Sequence, residues 1–263
     1  MPLVSALMAG EHEPSGTSVL QALARRQWLD YKQGRPGTYF GEEHARLSLD
    51  QVYAVQMEVA RLRCDDGDAV AGYKVGCIGA GVVEQFGMSG PIHGRLFRGE
   101  LRASEDTLEY GGYANLAIEG EMAVRIGVNG EIIGAFPVIE LHHFVFRGFP
   151  KTLSELVANN GINAGAVLPR DEASMPLDRW EAAHTLAIAV NGSVVDAGEL
   201  WAMAGGAVEA VEWLRKDLSR HGFALAPGDL VLTGTPLGLH PVRPGDRVAV
   251  SVDGRELVEA GIV

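Results

Sequence analysis

Cysteine, positive charge and long apolar runs are all scarce in this chain. Only two cysteines occur in 263 residues, Cys64 and Cys77, too far apart for a C-x-x-C unit. That spacing removes the usual zinc and redox-pair patterns and fits a reduced cytoplasm. Lysine and arginine number 22 against 34 aspartates and glutamates, giving a formal net charge of −12. Such a balance argues against a general binder of nucleic acid or of anionic membranes. It also means that an acidic substrate needs a cation to draw it in. No segment approaches the roughly 18 apolar residues of a membrane span. The stretch from Met1 to Glu11 lacks the basic start of a secretory leader. Neither an internal repeat nor a low-complexity tract is visible. No G-x-S-x-G elbow, P-loop, H-E-x-x-H or G-x-G-x-x-G occurs in a supporting context. What remains is an ordinary globular composition, 47% hydrophobic and 21% charged, with enough length for a full core.

The chain divides by texture. Its first 65 or so residues read as helical: Val19, Leu20, Leu23 and the Trp28-Leu29 pair form a stripe ending near Gly34. Ser48-Leu49-Asp50-Gln51 has capping-box spacing and is followed by Val52, Val55, Val59 and Leu62 at helical intervals. The charged stretch from Lys32 to Glu43 is the expected mobile loop or lid. From Val70 onward, short apolar runs alternate with glycine turns. Asn129-Gly130, Asn191-Gly192 and Asp253-Gly254 predict three hairpins. Two helices interrupt the strands, one starting at Thr152 and one carrying Val208, Val211, Leu214 and Leu218. The expected fold class is α+β and mostly β, with an N-terminal helical region at 1–69 and a β domain at 70–263.

Three carboxylates stand out against this background. Glu119 and Glu121 lie in the strand-like run Ala117 to Ile126, so they share one face while Ile118, Met122 and Val124 take the other. Strands paired straight back from Asn129-Gly130 set Glu140 opposite Glu119, where like charges repel unless something positive lies between them. Pro137 argues against an unbroken ladder, since proline cannot donate to it. A Glu-x-Glu on a half-exposed strand is more often a solvated face. Glu140, however, sits among Val138, Ile139 and Leu141, where a carboxylate is costly unless paired or coordinated. A hard divalent cation, Mg²⁺ or Mn²⁺, suits such an all-oxygen site.

Other residues are ambiguous taken singly. Lys74, in Gly72-Tyr73-Lys74-Val75-Gly76, is either an edge charge or a functional amine. The turn Thr233-Gly234-Thr235 offers backbone N–H groups and a hydroxyl to a carboxylate, or is a plain turn. The loop around Asn163 has the same two readings. His142 and His143 adjoin Glu140, and one can face a cation while its neighbour points away; both are expected outside the ligand set.

Taken in order, these segments resemble the fumarylacetoacetate hydrolase superfamily. The nearest branch is that of 2-oxopent-4-enoate hydratase and 4-oxalocrotonate decarboxylase. The likeness runs from Tyr53-Ala54-Val55-Gln56 through Gly72 to Gly76, Glu119-Gly120-Glu121, Glu140, Asn163-Ala164-Gly165 and Trp213-Leu214. It ends with Pro227 to Thr235 and Pro244-Gly245-Asp246. The resemblance implies a mixed β-sheet roll and a dimer-based homo-oligomer. It further implies Mg²⁺ or Mn²⁺ on Glu119, Glu121 and Glu140, Lys74 as the catalytic lysine, and substrate contacts at Thr235, Gly234 and Asn163. The implied substrate is a small 2-oxo or 2-hydroxydienoic acid. The spacing from Glu121 to Glu140 is short for the family, so the helix usual between them is expected to be missing. An acidic residue common in the family's hydratases is absent from Gly90-Pro91-Ile92-His93-Gly94, and His93 is the substitute. Hydration of 2-hydroxypenta-2,4-dienoate leads the expected activities, followed by decarboxylation of 4-oxalocrotonate. Next come C–C hydrolysis using His44 with Glu42 or Glu43, and a catalytically silent oligomeric domain.

Overall fold

The capping box at Ser48 forms in full: Gln51 N–H donates to the Ser48 hydroxyl at 3.2 Å, and Ser48 N–H to Gln51 Oε1 at 2.8 Å. It opens α2 (Leu49–Asp65) in a computed structural model that describes residues 16–35, 47–78, 84, 90–144, 152–171 and 175–263. Ahead of it runs α1 (Gly16–Lys32). The face of α1 that packs inward carries Leu23, Ala24, Gln27 and Asp30, leaving Val19 and Leu29 of the expected stripe exposed. The inward residues fall at helical intervals, whereas Leu29 lies off that line. Thr152 caps α3 (Leu153–Ala158) by accepting from Glu155 N–H at 3.1 Å. In α4 (Gly206–Arg220), Val211, Leu214 and Leu218 are buried while Val208 is exposed. Most of the expected lid, 36–43, lies outside the described residues, as do Glu42, Glu43 and His44.

All three predicted hairpins are present. Asn129-Gly130 joins β5 (Ala117–Ile126) to β6 (Ile132–His142), and Asn191-Gly192 joins β8 (Thr185–Val190) to β9 (Ser193–Glu199). Asp253-Gly254 joins β12 (Arg247–Val252) to β13 (Arg255–Ile262). Between β5 and β6 there is only this turn, with no helix separating Glu121 from Glu140. Pro137 is tolerated within β6. Two residues earlier, Ala135 sends its N–H away from β5 to Met175 O at 2.9 Å, and proline lacks its donor on that same side.

The larger sheet runs β2-β1-β10-β5-β6-β7-β3, with β11 (His240–Pro241) added beside β5. Its further strands are β1 (Val70–Gly76), β2 (Ile92–Phe97), β3 (Leu101–Ala103), β7 (Asn163–Leu168) and β10 (Leu230–Leu232). The smaller sheet runs β4-β13-β12-β8-β9, with β4 at Thr107–Leu108. Strands dominate, both sheets mix parallel and antiparallel pairs, and the α+β expectation is borne out.

The two sheets enclose the main core. Ile118 and Met122 project from β5 into the cluster that also holds Ile188 and Val250. Gly120 lets the sheets approach: a Cβ there would lie 3.2 Å from Val250 and 3.3 Å from Ile188. On the helical side a second cluster gathers Leu23, Val52, Val55, Leu156 and Val157 with Ile92 and Ile162. Glu119 and Glu121 alternate onto the face of β5 opposite the main core. Among the described residues, no helix is long and apolar enough to cross a membrane.

Candidate metal centre

Alternation along β5 and β6 builds the site. Glu119 pairs directly with Glu140 across the hairpin, and Glu121 pairs with Val138. Glu121 and Glu140 are each 1% exposed, and Glu119 is half-buried. Lys74 reaches the same face from β1, in register with Leu232 of β10 and, through it, Ala123 of β5. It is therefore no edge charge, because β1 is flanked by β2 and β10. Its ammonium donates to Glu140 Oε1 at 2.9 Å and to Gly161 O at 3.3 Å.

Two glycines cradle that lysine. A Cβ on Gly76 would stand 2.9 Å from Lys74 Cε, and one on Gly161 3.1 Å from it. Gly161 lies in an unusual turn in which Asn160, Gly161 and Ile162 all have φ near +60°. Consecutive left-handed residues are costly outside glycine. Asn160 offsets the cost by pairing with the β2 backbone, accepting from Arg95 N–H at 2.6 Å and donating to Arg95 O at 2.7 Å. Gly94 leaves room for this, since a Cβ there would fall 2.6 Å from Asn160 O.

Opposing charges set the protonation of the cluster. Burial by itself raises the Glu140 carboxyl, but Lys74 and His142 beside it outweigh that and hold it down at about 2. Burial and the Glu140 charge push Glu121 well above the ordinary carboxylate range. Burial alone would lower the Lys74 amine, yet the Glu140, Glu119 and Glu121 charges keep it above its usual value. Three carboxylates against one ammonium leave two negative charges when all are ionised, an excess that one divalent cation cancels. The donor set fits such an ion: Glu119, Glu140 and His142 offer ligand atoms all within 4.8 Å of one another. Glu121 faces the same cavity of about 510 Å³.

His142, which the sequence reading kept with His143 outside the ligand set, lies beside two of the three glutamates. Its Nε2 lies 3.1 Å from Glu119 Oε2 and 3.6 Å from Glu140 Oε2, because residues 140 and 142 share a face of β6. That two-residue spacing was the available signal. His143 takes the other side, where Nδ1 accepts from Ala114 N–H at 3.0 Å.

The structure brings together Lys74, the three glutamates, Gly234 and Thr235 around one cavity. Gly234 N–H donates to Glu121, and the Thr235 hydroxyl donates to Gly120 O at 2.6 Å. Asn163 is not at the cavity wall as described. Buried at 1% exposure, it donates to Glu140 Oε1 at 2.7 Å and orients that carboxylate. His93 is also elsewhere. It pairs with Val75, one residue out of step with Lys74, and bonds Asp217 Oδ2 at 2.7 Å while stacking on Tyr53. Strand alternation turns it away from the lysine.

Residues 158–262 match the family model described as fumarylacetoacetate (FAA) hydrolase C-terminal. The resemblance read from the sequence is thereby borne out over that stretch. More particularly, the chain is 25% identical over 259 residues to 2-hydroxyhexa-2,4-dienoate hydratase of Comamonas testosteroni, covering 91% of this chain and 96% of the relative. It is 24% identical over 246 residues to 4-oxalocrotonate decarboxylase of Pseudomonas putida, covering 84% and 88% respectively. The solved 4-oxalocrotonate decarboxylase of Pseudomonas putida G7, complexed with magnesium and adipate, shares the fold. Its TM-score is 0.87 at 21% identity, covering 96% of this chain and 100% of that one. These relatives are enzymes, which supports an enzyme here.

Proposed function

We propose that the protein is a lyase, a divalent-metal-dependent hydratase acting on 2-hydroxypenta-2,4-dienoate or a related 2-oxo acid. The observation that carries this reading is the convergence of Glu119, Glu121 and Glu140 with buried Lys74 in one cavity. Glu119, Glu121 and Glu140, with His142 beside them, would hold Mg²⁺ or Mn²⁺. Bound there, the ion would cancel the carboxylate excess and act as a Lewis acid toward negative charge developing at the substrate's C2 oxygen.

The chain's own groups do the rest. Lys74, held as an ammonium, offers its proton and its charge to the substrate's carboxylate end. Asn163 keeps Glu140 oriented, and Gly161 O with the two glycine cradles keeps Lys74 aimed. Gly234 and Thr235 form the wall against which the substrate lies. In the overall reaction the dienol takes a proton at its far carbon to give a conjugated 2-oxo acid. Water then adds across that enone, its oxygen to C4 and a proton to C3, yielding 4-hydroxy-2-oxopentanoate. A dimer-based, cytoplasmic homo-oligomer completes the proposal, consistent with Cys64 and Cys77 being free thiols.

The test is incubation of Mg²⁺-loaded protein with 2-hydroxypenta-2,4-dienoate and, separately, with 4-oxalocrotonate, followed by loss of the conjugated chromophore and product mass. Gain of water is expected with the first. Loss of CO₂ from the second, without hydration of the first, would establish the decarboxylase instead. Glu119→Ala and Glu121→Ala are expected to abolish turnover with unchanged circular dichroism, and full activity in EDTA would overturn the metal assignment.

A further inference from the structure

A second group of ligating side chains lies away from the cavity, where the end of α4 meets the edge strand β2. Asp217 is on the last turn of α4 and His221 caps it, so the two stand four residues apart on one face of the helix. That i, i+4 spacing is the one by which a helix presents two ligands to a single ion. His93 approaches them from β2, its Nδ1 2.7 Å from Asp217 Oδ2. The three residues offer ligand atoms all within 4.8 Å of one another. Tyr53 of α2 holds both imidazoles. Its ring centroid is 4.5 Å from that of His93 and 4.5 Å from that of His221, and its hydroxyl accepts from His93 N–H at 3.2 Å.

The protonation and the partners of these groups suit a metal. Burial holds His93 below the usual histidine value in spite of Asp217, so the ring is neutral at neutral pH, the form that ligates. His93 and Asp217 are both buried, and a carboxylate bonded to an imidazole is the arrangement that orients metal-binding histidines. His221 is half-buried, and among the described residues its ring has aromatic contacts but no hydrogen-bond partner. It is therefore the member able to swing inward, since ligand atoms around a tetrahedral ion stand about 3.4 Å apart. Arg220 and Arg95 border the group. Arg220 donates to the other carboxylate oxygen of Asp217 at 3.4 Å, while Arg95 turns its guanidinium to Gln56 Oε1 at 2.7 Å and over the Phe223 ring. Their charge lowers the affinity for a cation without occupying all the ligand atoms. Two imidazoles with one carboxylate favour a borderline transition ion over Mg²⁺, which prefers oxygen. We propose that His93, Asp217 and His221 form a second metal site, for Zn²⁺ or a similar transition ion, that ties the end of α4 to the edge of the larger sheet. It is separate from the carboxylate centre, because His93 points away from Lys74.

The test counts zinc. Wild type, His221→Ala and Asp217→Asn are stripped with EDTA and dialysed against micromolar free Zn²⁺, and the bound ion is measured per chain by elemental analysis. Each variant is expected to hold one zinc fewer than the wild type. The same comparison is made in a Glu119→Ala background, where His221→Ala should again remove one zinc and so locate the lost ion outside the carboxylate centre. Zn²⁺ at about a hundred times its Kd should also raise the melting temperature of the wild type by roughly 5–10 °C more than that of His221→Ala. Circular dichroism establishes that the variants are folded. Asp217→Asn, which keeps the shape of the side chain, decides the matter where His221→Ala is not. An equal zinc count in the wild type and a folded variant, or no loss in the Glu119→Ala background, would overturn the proposal.

Discussion

Replacing Lys74 by methionine removes the one ammonium that, among the described residues, faces Glu119, Glu121 and Glu140, while keeping much of the side-chain volume. Lys74 is 5% exposed and stands 2.9 Å from Glu140 Oε1. Removing one partner of a buried ion pair costs about 3–5 kcal/mol, because the other charge is left uncompensated. For a chain of this size each kcal/mol moves the melting temperature by roughly 2–4 °C. Metal-free Lys74→Met in EDTA at pH 8 is therefore expected to melt about 6–20 °C below the wild type. The pH dependence has a definite sign. Glu140 is held down at about 2 in the fold, so its contribution is present above the ordinary glutamate value of about 4.3 and is lost as pH falls toward 2. Lys74 is held above its ordinary value, so its share is complete below about 10.4 and fades only in stronger base. The gap between variant and wild type should accordingly be widest from about pH 5 to 10 and close on acidification. Saturating Mg²⁺ should narrow it, since the ion restores positive charge to the cluster. Scanning calorimetry across pH, with and without Mg²⁺, is the assay. A variant within a degree or two of the wild type at pH 8 in EDTA, or a gap that widens in acid, would refute the reasoning.

Two further substitutions probe the supports. Gly94→Ala places a Cβ 2.6 Å from Asn160 O and should displace the left-handed turn that aims Gly161 O at Lys74. A loss of roughly tenfold or more in kcat/KM is expected from misplacement on this scale, and unchanged kinetics would show that the turn does not position the lysine. His142→Ala should raise the Mg²⁺ concentration giving half-maximal activation by about 10- to 100-fold. An unaltered Mg²⁺ titration would place the histidine outside the ion's surroundings.

The elements legible in the sequence were those governed by local rules. The Asn129-Gly130 turn and strict alternation predict the pairing of Glu119 with Glu140, and the structure has it. Ser48 and Gln51 announce their helix because both capping partners lie within four residues. Pro137 misled in one respect: its missing N–H falls on the side away from β5, so the hairpin needs no interruption. Lys74 could not be placed from its neighbours alone, since its burial depends on β10, more than 150 positions later in the chain. The bond from Asn163 to Glu140 was hidden because a polar, glycine-rich loop does not reveal which way its side chains turn. The left-handed turn at Asn160 was equally hidden, as it is held by Arg95 on a distant strand.

The hairpin register also bears on the order of folding. β5 and β6 are joined by a short turn and form contacts of low sequence separation, so they are able to pair early. Pairing sets Glu119 against Glu140, and until β1 docks its lysine across β10 that ribbon is electrostatically self-opposed. In an ion-free chain, completion of the larger sheet is then what relieves that opposition. A divalent ion available during folding would act as a counterion for the hairpin itself, and the same carboxylates would link metal supply to the speed of maturation.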